Sequence, residues 1–246
     1  MGRPAWQGRA VSDSFRTIAE TGSTNDDVAA LAREGAAEGT WLRADRQTGG
    51  RGRQGREWQS PAGNLHASTL VRLRPGDPPA PSLAMVAAVA LHETLLAFAP
   101  GREPLIKWPN DLLVDGAKLG GILLERSDEA VVIGIGVNLA HHPEGLERPA
   151  TSLAALGGGA PDPAVFLEAL ADAFARWLGR WRSEGLGPIR DRWLLAAHPV
   201  GTALTADASG RRLDGLFDGL DRAGALRLRL ADGSVHVIHA GDVFLI

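Results

Sequence analysis

The chain has 246 residues, 44% of them apolar, so it can bury a full core as one large domain or as a domain with a small module. Its 26 basic and 29 acidic residues give a formal net charge of -3, which argues against a global basic field for nucleic acid or anionic membranes. The lack of cysteine excludes disulfides, thiolate metal sites and a thiol nucleophile.

The first residues, MGRPAWQGRA, contain no apolar run of signal-peptide length. No stretch of the sequence reaches about 18 consecutive apolar residues, the length that a membrane-spanning helix needs. We therefore expect a soluble, cytoplasmic protein with no membrane partner.

Scarce residue types occur beside glycine and proline in this sequence. Only two of the 26 basic residues are lysines, Lys107 and Lys118, and both lie in one short segment. The four asparagines lie in GSTND, AGNLH, KWPND and GIGVNL. A coding bias could leave a few such residues at random, but their clustering favours a functional role for the set.

The first predicted helix lies in GSTNDDVAALARE and runs from about Asn25 to Arg33. Ser23 or Thr24 can cap it, and the two aspartates that follow favour the positive end of the helix dipole. TWLRA and NLHASTLVRL predict strands before and after a loop rich in glycine and arginine. The segment PPAPSLAMVAAVALHETLLAFAP begins with prolines and has few polar residues, which predicts a largely buried helix.

A hairpin is predicted in LIKWPNDLLVDGAKLGGILLE, where Asp115-Gly116 separates two apolar runs. Asp-Gly favours a type I′ turn, because both central residues of that turn need a positive φ. This turn would give the strand pairs Val114 with Ala117, Leu113 with Lys118, and Asp111 with Gly120. Since side chains alternate along a strand, Asp111, Leu113 and Lys118 should share one face. The hairpin would therefore bring a carboxylate to a scarce lysine.

The second half of the sequence predicts a buried strand, two helices and a β module. AVVIGIGVNLA is rich in β-branched residues, and its glycines indicate that another group approaches the backbone closely. Residues from about 163 to 182 and from 188 to 197 have helical spacing of apolar residues, and we interpret their aromatic stripe as core, not as a cofactor site. From Pro199 onward, short alternating runs separated by turns predict a small all-β module.

The loop TGGRGRQGREW, residues 48–58, contains the spacing of a dinucleotide-binding fingerprint at Gly50, Gly52 and Gly55. That fingerprint needs a helix that starts on the glycines and an acidic residue about 20 positions later, but the next predicted element here is a strand. A P-loop is also excluded, because no Lys-Ser or Lys-Thr follows the glycines. The Arg-Gly tails that bind nucleic acid repeat many times, whereas this block occurs once.

Two interpretations of this loop remain. Its backbone donors and Arg51, Arg53 and Arg56 can close around an anion, since planar guanidinium groups suit bidentate contacts with carboxylate or phosphate. Alternatively, the block is a solvated, charged surface turn.

Four segments together resemble the catalytic domain of biotin protein ligases: STND, DRQTGGRGRQGREW, KWPNDLLVDGAKLGGILLE and IGIGVNL, in this order and spacing. The resemblance is strong from about Ile18 to Leu139. It implies an α/β (α+β) fold of the class II synthetase-like biotin/lipoate ligase type, with a mixed sheet flanked by helices, followed by a small SH3-like β-barrel. We accordingly expect a catalytic domain at residues 1–198 and a β-barrel domain at residues 199–246.

The resemblance also implies a two-step reaction. The biotin carboxylate attacks the α-phosphate of ATP to give biotinyl-5′-adenylate and pyrophosphate, and the acyl group then passes to a lysine of a biotin carboxyl carrier protein. Positive groups and Mg²⁺ would offset the repulsion between the two anions. Closure of the arginine loop would keep water from the mixed anhydride. The expected substrates and cofactors are ATP, biotin and Mg²⁺.

Site residues follow from the same resemblance. Lys118 and Arg53 are the expected catalytic residues, and Lys118 would contact the biotin carboxylate and the α-phosphate region. The metal ligands are unknown, with Asp111 a candidate. The expected binding residues for biotin, biotinyl-adenylate and ATP are Ser23, Thr24, Asn25, Gln47, Arg51, Gly52, Arg53, Asn110, Asp111, Lys118, Gly121 and Gly136. The two last glycines would permit close approach of the ligand.

Several of these assignments have a purely structural alternative. The segment STN could serve only as a helix cap, and Asp111 only as an acceptor in a turn. Lys118 is harder to explain in that way, because it is predicted beside Asp111 in a chain that otherwise uses arginine. We interpret Lys107 as a surface lysine and not as a catalytic residue.

Other classes of function stay open. A lipoate ligase or octanoyl transferase shares the broad fold, and the block GRGRQGR is the feature that favours biotin. A non-catalytic module could instead use the arginine loop to hold a nucleotide or nucleic acid. Only 22 residues precede Ser23, too few for the helix-turn-helix domain of some family members, so we expect no operator DNA binding.

Overall fold

The computed structural model describes residues 15–127, 130–146, 148–208 and 210–245. Seven strands form the main sheet: β1 (Phe15–Thr21), β2 (Trp41–Gln47), β3 (Leu65–Arg72), β4 (Leu105–Lys107), β5 (Asp111–Val114), β6 (Ala117–Ser127) and β7 (Ala130–Val137). The described residues also form four α-helices: α1 (Thr24–Arg33), α2 (Leu83–Phe98), α3 (Pro163–Glu184) and α4 (Gly187–Leu195). The four helices predicted from the sequence are thereby confirmed, with small differences at their ends.

The seven strands form one mixed sheet in the order β1-β2-β3-β7-β6-β5-β4. Strands β1 and β2 are parallel, and the neighbours that follow are antiparallel. Strand β1 was not predicted, because its two large apolar residues, Phe15 and Ile18, are three positions apart and give no strand alternation. Helices cover the sheet, so the mixed sheet flanked by helices is confirmed.

The main core lies where α2 and α3 cover the sheet. The segment Ala80–Phe98 is long and apolar enough to cross a membrane, but 67% of its apolar window is buried inside the protein. Trp181 on α3 is fully buried, and its Nε1 donates a hydrogen bond of 2.8 Å to Ser82 Oγ at the start of α2. Phe166, Leu170, Phe174 and Trp177 are buried beside it. The interpretation of the aromatic stripe as core is therefore confirmed.

The turn Asp115-Gly116 connects β5 to β6 as predicted, with φ values of 50° and 77°. The two predicted pairs nearest the turn are present, Val114 with Ala117 and Leu113 with Lys118. The predicted pair of Asp111 with Gly120 is wrong, because Asp111 pairs with Gly121. The register shifts at this point because a bulge leaves Leu119 as an extra residue in β6.

The C-terminal residues form a second sheet from β8 (Ala203–Ala208), β9 (Arg211–Leu220), β10 (Leu226–Arg229), β11 (Val235–Ile238) and β12 (Asp242–Leu245). Its order is β11-β10-β9-β8-β12, and all neighbours are antiparallel. This arrangement fits an SH3-like domain. Among the described residues no pairing joins the two edge strands, β11 and β12, so the sheet does not close into a complete barrel. Each edge strand has only four residues, and such short edges limit further pairing.

Candidate active site

A cavity of about 840 Å³ lies among α1, the arginine-glycine loop, the β5–β6 hairpin, β7 and the C-terminal strand β12. It contains every residue expected at the site: Ser23, Thr24, Asn25, Gln47, Arg51, Gly52, Arg53, Asn110, Asp111, Lys118, Gly121 and Gly136. Segments that are far apart in the sequence thus converge on one space.

One end of the cavity is a network of uncharged polar side chains. The Thr24 backbone N–H donates to Gln47 Oε1 at 2.8 Å, and the Thr24 and Ser68 hydroxyl oxygens are 2.7 Å apart. Ser68 Oγ donates to Asn25 Oδ1 at 2.6 Å, and Gln47 Nε2 donates to Ser60 Oγ at 3.0 Å. Each side chain is held by at least one neighbour, so this end of the cavity is rigid before any ligand arrives.

The segment STN is more than a helix cap. Ser23 occupies the N-cap position of α1, but its side chain makes no capping hydrogen bond. Thr24 and Asn25 belong to the first turn of α1, and their side chains join the polar network in the cavity. All three residues are buried. The helix start therefore serves to position polar groups at the cavity.

Two glycines of β7 make room for side chains that shape the cavity. A Cβ atom on Gly134 would overlap Asn25 Oδ1, and one on Gly136 would lie 2.6 Å from Trp58 Cε2. The expected close approach to this strand is thus made by the protein's own side chains. Asn25 thus packs against one glycine, and the Trp58 indole packs against the glycine two residues further along β7.

Arg51 is bound between two carboxylates on different elements. Its Nη1 and Nη2 donate to Asp26 at 2.8 and 2.6 Å, and its Nε and Nη2 donate to Glu125 at 3.1 to 3.2 Å. The hydrogen bond from Arg51 is the main reason that the pKa of Asp26 lies below its usual value. The same bond, more than the contact with Glu125, raises the pKa of Arg51. The start of the loop is therefore fastened to α1 and β6.

Arg53 and Arg56 connect the loop to the C-terminal sheet. Arg53 Nη1 donates to the Gly241 carbonyl oxygen at 3.0 Å and lies 3.4 Å from Asp242 Oδ1. Arg56 Nη1 lies 3.1 Å from Asp242 Oδ2. The interpretation of this block as only a solvated surface turn is wrong, because these side chains bind another part of the protein and Arg53 lines the cavity.

The β5–β6 hairpin supplies the other expected charged groups. Lys118 Nζ lies 2.6 Å from Asp111 Oδ1 and 5.3 Å from the centre of a Trp58 ring. Asn110 Nδ2 donates to the Ile122 carbonyl oxygen at 2.6 Å, which fixes the bend before β5. The predicted meeting of a carboxylate with a scarce lysine is confirmed.

The donor set at this end suits a metal ion only in company with a ligand. Among the described residues, no group of three or more histidines, aspartates or glutamates gathers to hold a metal. Asp111 and Glu57 are the carboxylate residues that line the cavity in the described part of the chain. Mg²⁺ often uses one or two carboxylates together with substrate phosphates and water. Asp111 therefore fits Mg²⁺ carried by a nucleotide.

Sequence reasoning missed several cavity residues: Trp58, His66, Lys107, Arg148 and Phe244. Trp58 lies inside a motif that was singled out, and Lys107 is one of the two lysines, so both had a signal. No local pattern marks Arg148 or Phe244, since they reach the cavity only through the fold. The surface interpretation of Lys107 is wrong, because the residue is 9% exposed.

Two family models match the chain. Residues 20–138 match the biotin/lipoate A/B protein ligase family, and residues 204–246 match the biotin protein ligase C-terminal domain. The first match contains most of the cavity residues described above. The second corresponds to the C-terminal sheet that contacts Arg53.

Similar proteins extend over almost the full length of the chain. The biotin–[acetyl-CoA-carboxylase] ligase of Paracoccus denitrificans is 42% identical over 92% of this chain and 98% of that protein. The ligase of the same name from Mycobacterium tuberculosis is 35% identical over 92% of this chain and 86% of that protein. The structure of the Aquifex aeolicus biotin protein ligase in complex with biotin and ATP has a TM-score of 0.85, at 24% identity, and covers 95% of this chain and 99% of that chain. The last comparison supports the fold.

Proposed function

The chain belongs to the biotin protein ligase family, and we propose that its cavity activates biotin with ATP and transfers it to a carboxylase. In the first step, a carboxylate oxygen of biotin bonds to the α-phosphorus of ATP, and the bond from that phosphorus to the bridging oxygen breaks. Pyrophosphate leaves with the electron pair, and biotinyl-5′-adenylate remains. In the second step, a lysine amine of the carboxylase attacks the acyl carbon, loses a proton and displaces AMP.

The observation that carries this proposal is the division of the cavity into a neutral polar part and a cationic part. Thr24, Asn25 and Gln47 offer uncharged donors and acceptors, whereas Lys118 and Arg53 carry positive charge. Biotin has the same division, with an uncharged cyclic urea at one end and a carboxylate at the other. Placing the urea in the polar network brings the carboxylate toward the cations, where a phosphate can also bind.

Lys118 is the group that we assign to the reacting centre. Negative charge shifts among the phosphoryl oxygens as the new bond forms, and a cation already in place lowers the energy of that transition state. Asp111 Oδ1 lies 2.6 Å from Lys118 Nζ. This ion pair holds the ammonium group at the cavity before the substrates bind. Asn110 supports the same bend through its bond to Ile122.

We assign closure over the adenylate to Arg51, Gly52 and Arg53. The loop is attached at one end to α1 and β6 through Arg51 and at the other to β12 through Arg53. A loop held on both sides can exclude water from a mixed anhydride that water would hydrolyse. Gly121 and Gly136 leave room for the Trp58 indole, which lines the cavity and can contact the ligand there.

Mg²⁺ enters the proposal with ATP. Bound to the phosphates and to Asp111, it would neutralise part of the charge that biotin's carboxylate must approach. Among the described residues, Asp111 is the one carboxylate of the hairpin that lines the cavity. The protein would therefore supply about one of the ligands of Mg²⁺, and the phosphates and water would supply the others.

The finer assignments also belong to the proposal. The names of the relatives support a biotin carboxyl carrier protein of acetyl-CoA carboxylase as the protein substrate. The carrier would meet the enzyme in the cytoplasm. We place the domain division at residues 198 and 199, in the connection between the end of α4 at Leu195 and the start of β8 at Ala203.

The decisive experiment is biotin-dependent exchange of labelled pyrophosphate into ATP, with Mg²⁺ and no carrier. Exchange with biotin and none with lipoate or octanoate is the expected result. Exchange that depends on lipoate and does not occur with biotin would show that the protein is a lipoate ligase and would contradict the proposal. A folded protein that binds ATP and shows no exchange with any of these acids would be a non-catalytic nucleotide-binding module.

A further inference from the structure

Glu57 is a carboxylate residue at the mouth of the cavity. It is exposed and also lines the cavity, so its side chain lies where the cavity meets solvent. Its backbone is held on both sides: the Gly52 N–H donates to the Arg56 carbonyl oxygen at 2.7 Å, and the Trp58 N–H donates to the Gly50 carbonyl oxygen at 2.9 Å. The carboxylate therefore stands on a fixed part of the arginine-glycine loop.

The Glu57 side chain forms neither a hydrogen bond nor an ion pair in the part of the chain that the structure describes. Arg51 pairs with Glu57 through an isolated β-bridge, but the Arg51 guanidinium binds the carboxylates of Asp26 and Glu125. The preceding residue, Arg56, is bound to a carboxylate on β12. Since both arginines have other partners, the charge of Glu57 is available to a molecule that enters the cavity.

Positive and negative charges are unequal along the described lining of the cavity. Two residues are acidic, Asp111 and Glu57, and Asp111 Oδ1 lies 2.6 Å from Lys118 Nζ. The basic residues are Arg51, Arg53, Arg56, Lys107, Lys118 and Arg148. These cations favour an anionic ligand and repel any cation that has to enter. Among the described lining residues, Glu57 is the acidic group that remains free to offset this repulsion.

The proposed reaction requires a cation to enter. Its second step uses the side-chain amine of a carrier lysine, which is protonated at neutral pH because its ordinary pKa is about 10.4. This ammonium group has to reach an adenylate that lies among arginines and lysines. We infer that Glu57 binds the ammonium group of the incoming carrier lysine at the mouth of the cavity and positions it for entry. This inference rests on the proposed function.

The surroundings of Glu57 suit a lysine that is part of a protein. Leu146 and Leu245 also line the cavity, and they are 54% and 42% exposed. Large apolar side chains at the mouth of a polar cavity favour contact with a protein surface, which removes them from water. The mouth therefore offers apolar area to the residues around the lysine and a carboxylate to its ammonium group.

Binding at Glu57 is followed by loss of a proton. A carboxylate favours the charged form of a nearby amine, whereas cations disfavour it and lower its pKa. The amine therefore stays protonated at the mouth and gives a proton to water as it moves toward Lys118. The uncharged nitrogen then bonds to the acyl carbon and loses its second proton, and the bond from that carbon to the phosphate oxygen breaks. AMP leaves with the electron pair.

The test uses protein loaded with synthetic biotinyl-5′-adenylate and follows the loss of bound adenylate after an acceptor is added. The acceptors are the biotin carboxyl carrier protein of an acetyl-CoA carboxylase, an N-acetylated lysine amide, and hydroxylamine, which is largely uncharged at neutral pH. Glu57→Gln is compared with the wild type and with Glu103→Gln. Glu103 is likewise exposed and has no ion pair among the described residues, but it does not line the cavity.

In low salt, Glu57→Gln should react about three- to fivefold more slowly with the carrier and with the lysine amide, the loss typical of an exposed ion pair. Salt should reduce this difference, because it screens the attraction between Glu57 and the ammonium group. The rate with hydroxylamine and the biotin-dependent pyrophosphate exchange should not change. Glu57→Asp should recover part of the rate with the carrier, and Glu103→Gln should behave as the wild type.

Three results would overturn the inference. The first is a wild-type rate with both lysine acceptors in Glu57→Gln. The second is an equal loss with hydroxylamine, which would mean that Glu57 acts on the loop or on the adenylate. The third is a loss of pyrophosphate exchange that excess Mg²⁺ restores, which would make Glu57 a metal ligand.

Failure of the proposed function would appear separately. Because the adenylate is supplied ready-made, transfer is measured without the activation step. A wild-type protein that shows no biotin-dependent exchange and still transfers biotin from the adenylate would contradict the proposed activation and leave the role of Glu57 measurable. A wild-type protein that binds no adenylate would refute the proposed function, and the inference with it.

Discussion

Lys118 Nζ lies 2.6 Å from Asp111 Oδ1, across a hairpin whose turn is Asp115-Gly116. The bulge at Leu119 shifts the strand register and still leaves the two charged side chains together. The hairpin therefore acts as a rigid support that presents the lysine to the cavity. A reacting group on a rigid strand pair is placed more accurately than one on a loop.

Replacing this lysine tests its assignment to the reacting centre. Lys118→Ala should fold normally and lose about a hundredfold or more in biotin-dependent pyrophosphate exchange, the loss typical of a removed charge-stabilising group. Exchange rates at saturating ATP and biotin give the measurement. A melting temperature near that of the wild type serves as the control for folding. Exchange at the wild-type rate would remove Lys118 from the reacting centre.

Arg53 can be tested against an arginine that has similar partners but does not line the cavity. Arg53 binds a carbonyl oxygen and a carboxylate, and Arg102 likewise binds the Leu156 carbonyl oxygen and Asp115. Arg53→Ala should lose adenylate formation by about tenfold or more while keeping its fold, because a cation of the closing loop is removed. Arg102→Ala should keep adenylate formation. Equal rates of biotinyl-adenylate formation in the two variants would show that Arg53 has no special role.

Local sequence patterns could predict much of this architecture. The Asp-Gly turn, the apolar stripe of α3 and the buried helix α2 each follow from spacing that lies within one segment. The bulge at Leu119 could not be predicted, because it depends on how β6 also pairs with β7. Strand β12 was missed because its four residues have no pattern of their own.

The site was predictable where its residues lie in a motif and not where they meet through the sheet. Thr24 and Lys118 belong to recognisable segments, but nothing local joins Arg51 to Glu125, 74 residues later. Ser68 lies on β3 and enters the polar network only because α1 packs there. Such contacts depend on strand order, which the sequence pattern leaves open.

Gly136 should be intolerant of even one added methyl group. The Cβ of Gly136→Ala would lie 2.6 to 2.8 Å from three atoms of the Trp58 indole, so the ring would have to move. We expect a loss of about 1 to 3 kcal/mol in the free energy of unfolding, as for other overpacked sites. We also expect weaker binding of biotinyl-adenylate, because Trp58 lines the cavity. Urea denaturation and calorimetry measure the two effects.

Gly179→Ala is the matched control for this substitution. Gly179 lies in α3, and an added Cβ there would have no neighbouring heavy atom within 4 Å. Alanine should stabilise the helix by about 0.5 to 1 kcal/mol and leave ligand binding unchanged. A Gly136→Ala protein as stable as the wild type, with unchanged adenylate binding, would contradict the role of this close contact.

His92 should make the protein less stable in mild acid. Burial, and next the charge of Arg192, lower the pKa of His92 to about 4, whereas the unfolded chain has a histidine pKa of about 6.5. Between pH 6.5 and pH 4, His92 is protonated in the unfolded state but not in the folded state. The free energy of unfolding therefore falls as the pH decreases through this window. From pH 7.5 to pH 5 the loss from this residue should be about 2 kcal/mol. Urea denaturation at the two pH values measures it.

The comparison that isolates His92 is the slope of stability against pH in His92→Gln. Burial also lowers the pKa of His66 and of His198, so part of the acid sensitivity should remain in this variant. The difference between the slopes of wild type and variant is the contribution of His92, whatever the substitution does to stability at neutral pH. If His92→Gln kept the full wild-type slope, the buried ring would have to accept its proton without cost to the fold.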